Sequence, residues 1–141
     1  MTDIVYFNGE FLPYSEAHIS IEDRGYQFAD GVYEVVAVYN GVPFMLEEHF
    51  ARLKRSAEAL EIEVPDYQDL LSASKELLKK VEPADVKIYI QVTRGTTIRS
   101  HAYPDDLTPN VVMTIRPMGR HPEEYFSRGV KVITLPDDRW S

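Results

Sequence analysis

Two side chains that can bind a carboxylate, Arg99 and His101, stand two residues apart in the polar segment 94–101. In an extended segment, residues two apart point the same way, so both side chains would face one ligand. A guanidinium donates two parallel hydrogen bonds to a carboxylate, and an imidazole can add a third. Their spacing indicates a carboxylate site, although the residue types alone favour a solvated charged loop, because most loops are polar.

Two further side chains could meet a ligand, Arg52 and Tyr33. Arg52 lies among apolar residues that recur every three or four positions, and at roughly 100° per residue it falls opposite their stripe. Spacing alone therefore predicts a solvent-facing arginine. Tyr33 lies near the start of a run of β-branched and aromatic residues. Its ring either packs in the core with the hydroxyl exposed to water, or it points into a cleft.

Turn signals and alternating residues predict the strands that must position these side chains. The pairs Asn8-Gly9 and Asn40-Gly41 favour the positive φ angles of tight β-hairpins. The predicted strands are 4–7, 10–12, 32–39, 86–92, 111–115 and 130–133. The stretch 23–31 mixes glycines, charges and aromatic residues, and it is predicted to be an ordered loop.

Helical periodicity appears between the strands. Leu46, Phe50, Leu53, Ala57 and Leu60 form one apolar stripe, with acidic residues in the first turn. Pro65-Asp66 opens a second helix, and a short helix is predicted over 122–126. Hairpins, a grouped helical segment and further strands predict an α+β fold, an antiparallel sheet with helices packed on one side.

Composition excludes several classes of protein. The chain has 141 residues, a formal net charge of −8 and no cysteine, so disulfide scaffolds and cysteine nucleophiles are excluded. The acidic balance argues against binding to nucleic acid or an anionic membrane, although residues 71–141 carry a net charge of +2. The four histidines lack ligand spacing, which predicts no metal site. Neither a signal peptide nor a membrane span is predicted, and the expected compartment is the cytoplasm.

Three motifs carry a resemblance to a known family. The run 22–36, EDRGYQFADGVYEVV, closely resembles the start of the fold-type IV pyridoxal-phosphate aminotransferases. The segment 48–53, EHFARL, is similar to the helix of that family that carries a phosphate-binding arginine. The segment 91–101, with its Arg-x-His, resembles the D-amino acid aminotransferases in particular. Residues 138–140 resemble the segment that precedes the family's catalytic lysine.

The resemblance implies a role for each candidate. Arg52 would hold the phosphate of pyridoxal 5'-phosphate, while Tyr33, Arg99 and His101 would trap the substrate α-carboxylate. The substrates would be an amino acid, such as D-alanine, and a 2-oxo acid, and the enzyme would be a homodimer. Residues 1–120 would form the small N-terminal α+β domain, and 121–141 the link and first strand of a cofactor-binding domain.

One element of the family pattern is missing from these residues. The resemblance implies a catalytic lysine a few residues after Trp140, and the chain ends at Ser141, so no catalytic residue is assigned. We therefore expect an N-terminal fragment that is inactive alone. The alternatives are a branched-chain L-amino acid aminotransferase or an aminodeoxychorismate lyase of the same fold, or a non-catalytic carboxylate-binding module.

Overall fold

The structure is a computed structural model that describes residues 4–82, 84–119 and 121–137. The strands are β1 Ile4–Phe7, β2 Glu10–Pro13, β3 Gly31–Tyr39, β4 Val42–Pro43, β5 Val86–Thr93 and β6 Asn110–Pro117. The helices are α1 Arg24–Phe28, α2 Leu46–Ala59, α3 Tyr67–Leu78 and α4 Glu123–Arg128, with a 3-10 turn at Tyr14–Glu16. Within the described residues the strands form one six-stranded sheet in the order β2-β1-β6-β5-β3-β4, and its pairs are antiparallel.

Both predicted hairpins are confirmed. Asn8 and Gly9 have φ angles of 48° and 98°, and Asn40 and Gly41 have φ angles of 47° and 78°. Two successive positive φ angles are the requirement of the type I′ turn, whose twist matches the twist of the strands that it joins. The Asn-Gly pairs thereby set the register of β1 with β2 and of β3 with β4.

The core lies between one face of the sheet and the two long helices. Along β3 the alternate residues Val32, Val36 and Val38 are buried, whereas Tyr33 and Tyr39 are exposed on the opposite face. The other core positions include Tyr6, Phe50, Leu53, Leu70, Leu77, Ile88, Ile90, Met113 and Ile115. The α+β prediction with α2 and α3 on one side of an antiparallel sheet is therefore confirmed.

Three local predictions differ from the structure. The stretch 23–31 contains the five-residue helix α1 and is not a loop throughout, because Asp23 caps the helix and Ala29 ends it in the left-handed conformation. So short a helix leaves no periodicity to detect. Leu60 follows α2 and is 43% exposed, so it does not complete the apolar stripe.

The third difference concerns the chain beyond β6. The structure assigns no strand to 130–133, where Val132 and Ile133 are exposed. A strand needs a hydrogen-bonding neighbour, and within the described residues none pairs with this segment. The helix predicted over 122–126 is found as α4, whereas residues 138–140 lie outside the described residues. The division into 1–120 and 121–141 stays a prediction.

Candidate functional site

A fully buried carboxylate organises the start of the site. Asp23 is 1% exposed, and its side chain accepts hydrogen bonds from the backbone N–H groups of Gly25 and Tyr26 at the N-terminus of α1. The same carboxylate accepts from Thr93 Oγ1 and Asn110 Nδ2, at 2.7 Å each. Because Thr93 ends β5 and Asn110 begins β6, Asp23 fixes α1 to the end of the central strands. Gly25 permits this approach, since a Cβ there would overlap the Thr93 side chain.

Two buried arginines share the carboxylate of Asp30, which lies just before β3. Arg24 Nε and Arg94 Nε each donate to Asp30 Oδ2 at 2.8 Å, and the two arginines are 4% and 7% exposed. Burial by itself would raise the pKa of Asp30, but the hydrogen bonds and charges of Arg94 and Arg24 outweigh it and hold that pKa below its usual value. The carboxylate is therefore ionised at neutral pH and balances one of the two positive charges.

The segment that carries Arg99 and His101 lies against this network. Arg24 Nη1 donates to the carbonyl oxygen of Ser100 at 2.7 Å, and Nη2 to that of His101 at 3.4 Å. The Arg99 guanidinium carbon lies 5.0 Å from the centre of the Phe28 ring, and the His101 ring centre lies 5.5 Å from it. The side chains of Arg99 and His101 therefore both contact the Phe28 ring, and both are exposed to solvent.

The structure gives Tyr33 a different set of neighbours. Its ring stacks on Tyr89, with centres 5.8 Å apart, and the side chain is 65% exposed on the sheet face opposite α2 and α3. Tyr33 pairs with Gln91 near the end of β5, and segment 94–101 leaves that same end. The three predicted carboxylate ligands therefore lie at one end of the sheet, but only Arg99 and His101 share a contact partner.

Arg52 is held by an acid that the sequence analysis did not single out. Arg52 Nε donates to Glu34 Oε1 and Nη2 donates to Oε2 at 2.7 Å, which is a bidentate pair. His49 Nδ1 lies 2.8 Å from the same Oε2. The hydrogen bond from Arg52 is the largest cause that lowers the pKa of Glu34, and it outweighs the opposing effect of burial.

This pairing refines the solvent-facing prediction for Arg52. Its side chain is 60% exposed, as the spacing predicted, yet one edge of the guanidinium is fixed on Glu34, which is 5% exposed. A guanidinium has five N–H donors, and the outer side of the group is open to solvent. Arg52 is therefore an oriented donor that can also bind an anion such as a phosphate.

The two parts of the site flank an open strand edge. β4 pairs only with Val38 and Tyr39, so from Gly31 to Val36 the described residues place no strand on the outer side of β3. Adjacent residues of a strand point to opposite faces, which puts Tyr33 on one side of this edge and the Glu34–Arg52 pair on the other.

Sequence reasoning missed the residues that support the site: Arg24, Phe28, Asp30, Glu34, His49 and Arg94. Glu34 did leave a signal, because it occupies a core-facing position between Val32 and Val36, and a buried acid requires a partner. The Arg24–Asp30–Arg94 network gave no such signal in the sequence. Arg94 is 64 residues from Asp30, and the pairing of β3 with β5 brings them together.

The described residues contain neither a cluster of metal ligands nor a membrane-spanning helix. No group of three or more His, Cys, Asp or Glu side chains there is arranged to hold a metal ion. Among the helices of the described ranges, none is long and apolar enough to cross a membrane.

Comparisons with known proteins show the family to which this chain belongs. Residues 31–141 match the family described as amino-transferase class IV, and the chain belongs to this family. Among solved structures, the branched-chain amino acid aminotransferase of Escherichia coli superimposes with a TM-score of 0.81 at 22% identity, over 88% of this chain and 43% of that one. The 4-amino-4-deoxychorismate lyase of Pseudomonas aeruginosa gives a TM-score of 0.70 at 32% identity, over 89% and 44%.

The curated relatives that this chain resembles include D-alanine aminotransferases. A D-alanine aminotransferase of Bacillus licheniformis is 45% identical over 137 residues, which are 96% of this chain and 48% of that protein. A D-alanine aminotransferase of Staphylococcus epidermidis is 39% identical over 96% of this chain and 49% of its own length. The chain thus spans about half the length of the curated relatives that it matches.

Proposed function

We propose that this chain is the N-terminal half of a pyridoxal-phosphate-dependent D-amino acid aminotransferase. The observation that carries the proposal is the Arg99-x-His101 segment, held on the Phe28 ring with both side chains exposed. The enzyme would transfer the amino group of D-alanine or another D-amino acid to a 2-oxo acid. Similarity to D-alanine aminotransferases over 96% of the chain supports this substrate class.

The residues fit the phosphate of the cofactor. Arg52 offers a fixed positive charge whose outer donors are open to solvent, because Glu34 orients the group from behind. Next to Arg52, the outer side of β3 from Gly31 to Val36 carries no paired strand within the described residues. When bound, pyridoxal phosphate would supply an electron sink for the chemistry at the substrate α-carbon.

The protein's own contribution at this end of the sheet is orientation. Arg99 would donate two hydrogen bonds to the substrate α-carboxylate, while His101 and the Tyr33 hydroxyl would donate one each. Fixing the carboxylate on one side of the site determines which face of the α-carbon presents its hydrogen. The carboxylate ligands would therefore determine which enantiomer reacts, and the similarity to D-alanine aminotransferases supports the D-enantiomer. The group that removes the proton would be a lysine outside these 141 residues.

A related activity of the same fold is the alternative. The chain is 32% identical to a 4-amino-4-deoxychorismate lyase, compared with 45% to a D-alanine aminotransferase. A lyase would release its product without needing a second 2-oxo acid. Incubating the full-length protein with D-alanine, L-leucine or aminodeoxychorismate, each with and without a 2-oxo acid, separates the three activities.

Two substitutions in the full-length protein test the assigned roles. Arg99→Met should raise KM for D-alanine far more than it raises Kd for pyridoxal phosphate, and Arg52→Met should do the reverse. Arg55→Met is the matched control, because Arg55 lies on the same helix and is exposed. An unchanged KM in Arg99→Met would reject the carboxylate role.

The cofactor attachment is tested on the chain itself. Borohydride reduction in the presence of pyridoxal phosphate, followed by mass spectrometry, should give no stoichiometric adduct on the six lysines. A stoichiometric adduct on any of them would contradict the assignment of the catalytic lysine to the remainder of the protein.

We also propose a cytoplasmic homodimer, in which 121–141 lead into a cofactor-binding domain. The exposed apolar residues Tyr39, Val42 and Phe44 at the β3–β4 hairpin support an interface at this hairpin. The lack of cysteine fits a reducing compartment. Sedimentation of the full-length protein tests the dimer directly, and a monomer at micromolar concentration would reject it.

A further inference from the structure

We propose that Arg24 and Phe28 are positioning residues, which hold Arg99 and His101 in the geometry that receives a carboxylate. This inference rests on the proposed function and extends it. Neither residue is expected to touch the substrate. Their role is to fix the segment that does.

Arg24 fixes the backbone of the segment. Arg24 is 4% exposed, and its guanidinium makes two sets of hydrogen bonds. Nε donates to the Asp30 carboxylate, while Nη1 and Nη2 donate to the carbonyl oxygens of Ser100 and His101. Those carbonyls belong to a stretch outside any helix or strand. Without Arg24, the described residues give neither carbonyl another hydrogen bond that would fix it.

Phe28 fixes the side chains. Its ring contacts two guanidinium groups, with the Arg24 carbon 4.7 Å and the Arg99 carbon 5.0 Å from its centre. The His101 ring packs against the same ring at 5.5 Å. Cation–π attraction and ring packing restrict the long Arg99 side chain, which would otherwise sample many rotamers in solvent.

A carboxylate site benefits when its donor side chains are held in place before the ligand binds. Donors already aimed at the ligand lose little conformational entropy when it arrives, and they hold it in one orientation. A backbone shift in 99–101 would move both donors together, because Arg99 and His101 flank Ser100, whose carbonyl oxygen accepts the shorter hydrogen bond from Arg24. Loss of Arg24 should therefore impair carboxylate recognition specifically.

The chain contains a matched control in Arg94. This arginine binds the same Asp30 oxygen at the same 2.8 Å and is similarly buried. Its Nη atoms donate to the carbonyl oxygens of Glu61 and Leu60, at 3.0 and 2.7 Å, and so tie down the chain after α2. Both guanidinium groups also lie over the Tyr103 ring, at 5.2 Å for Arg24 and 3.8 Å for Arg94. Only Arg24, however, donates to the carbonyl oxygens of the segment that carries Arg99 and His101.

The test compares Arg24→Lys with Arg94→Lys in the full-length protein loaded with pyridoxal phosphate. Lysine keeps the charge beside Asp30 but lacks the forked donors that reach two carbonyls. We expect Arg24→Lys to raise KM for D-alanine, and Kd for the carboxylate probe propionate, by about 10-fold to 100-fold. Arg94→Lys should lower the melting temperature to a similar extent and raise these constants much less. Reactivity toward an amine without a carboxylate should be equal in the two variants.

The outcomes separate this inference from the proposed function. If Arg99→Met raises KM but Arg24→Lys and Arg94→Lys behave alike, the positioning role is wrong and the carboxylate site stands. If Arg99→Met leaves KM unchanged, the proposed function itself fails. Should Arg24→Lys not fold, Phe28→Leu provides the test, because it leaves the buried ion network intact. An unchanged Kd for propionate in that variant would overturn the proposal.

Discussion

The shared carboxylate of Asp30 gives the sharpest prediction about stability. In Asp30→Asn the side chain keeps its size but loses its charge, so Arg24 and Arg94 remain buried with no counter-charge between them. The three side chains are 5%, 9% and 13% exposed, which leaves little room for water to screen the repulsion. Removing one partner of a buried ion pair costs roughly 3–5 kcal/mol. Because an amide oxygen can still accept a hydrogen bond, we expect about 3 kcal/mol.

Thermal unfolding of the 141-residue chain, followed by circular dichroism, measures this loss. At an unfolding entropy of roughly 2 cal/mol/K per residue, about 3 kcal/mol corresponds to a decrease in Tm of about 10 °C. Asp106→Asn is the control, because Asp106 is exposed in the same half of the chain and should change the stability by less than about 0.5 kcal/mol. Equal melting temperatures for the two variants would refute the network as a source of stability.

The same network predicts a pH dependence with a definite sign. The folded-state pKa of Asp30 lies below its ordinary value of 3.8, so its contribution to stability is complete above that pH. It is lost as the pH falls through the lower, folded-state pKa. The difference in free energy of unfolding between wild type and Asp30→Asn should therefore be constant from pH 5 to 7 and should shrink below about pH 3.8. A difference that grows on acidification would contradict this assignment.

Two further pairs of substitutions, each a test with its control, examine the packing of the fold. Gly95→Ala should cost at least about 2 kcal/mol, because Gly95 has a φ of +117° and a Cβ there would overlap the carbonyl oxygen of Thr108; Gly119→Ala, with nothing within 4 Å, should be near neutral. Leu53→Ala should cost about 2–5 kcal/mol, since Leu53 is 1% exposed beneath the sheet, whereas Leu60→Ala should cost well under half of that at 43% exposure. Urea unfolding checks both pairs, and equal midpoints within either pair would contradict the packing described.

Local sequence was sufficient for most of the fold. The two Asn-Gly turns, the alternating strands and the apolar stripes of α2 and α3 are signals within one element, so they could be detected without tertiary contacts. The exceptions were α1, which is too short for a period, and the segment 130–133, where β-branched residues alone do not supply a neighbouring strand. The spacing also correctly predicted the exposure of Arg52.

The pairing of candidate residues, in contrast, was decided by tertiary structure. The sequence by itself identified Arg99 and His101 as candidate ligands from their spacing. It identified Arg52 and Tyr33 as candidates from residue type and family resemblance. It could not show that Arg24 donates hydrogen bonds to the carbonyl oxygens of Ser100 and His101, or that Glu34 orients Arg52. The physical reason is that these contacts join separate elements. The Arg24–His101 contact spans 77 residues and depends on the antiparallel register of β3 with β5, whereas the Glu34–Arg52 contact depends on the packing of α2 on β3.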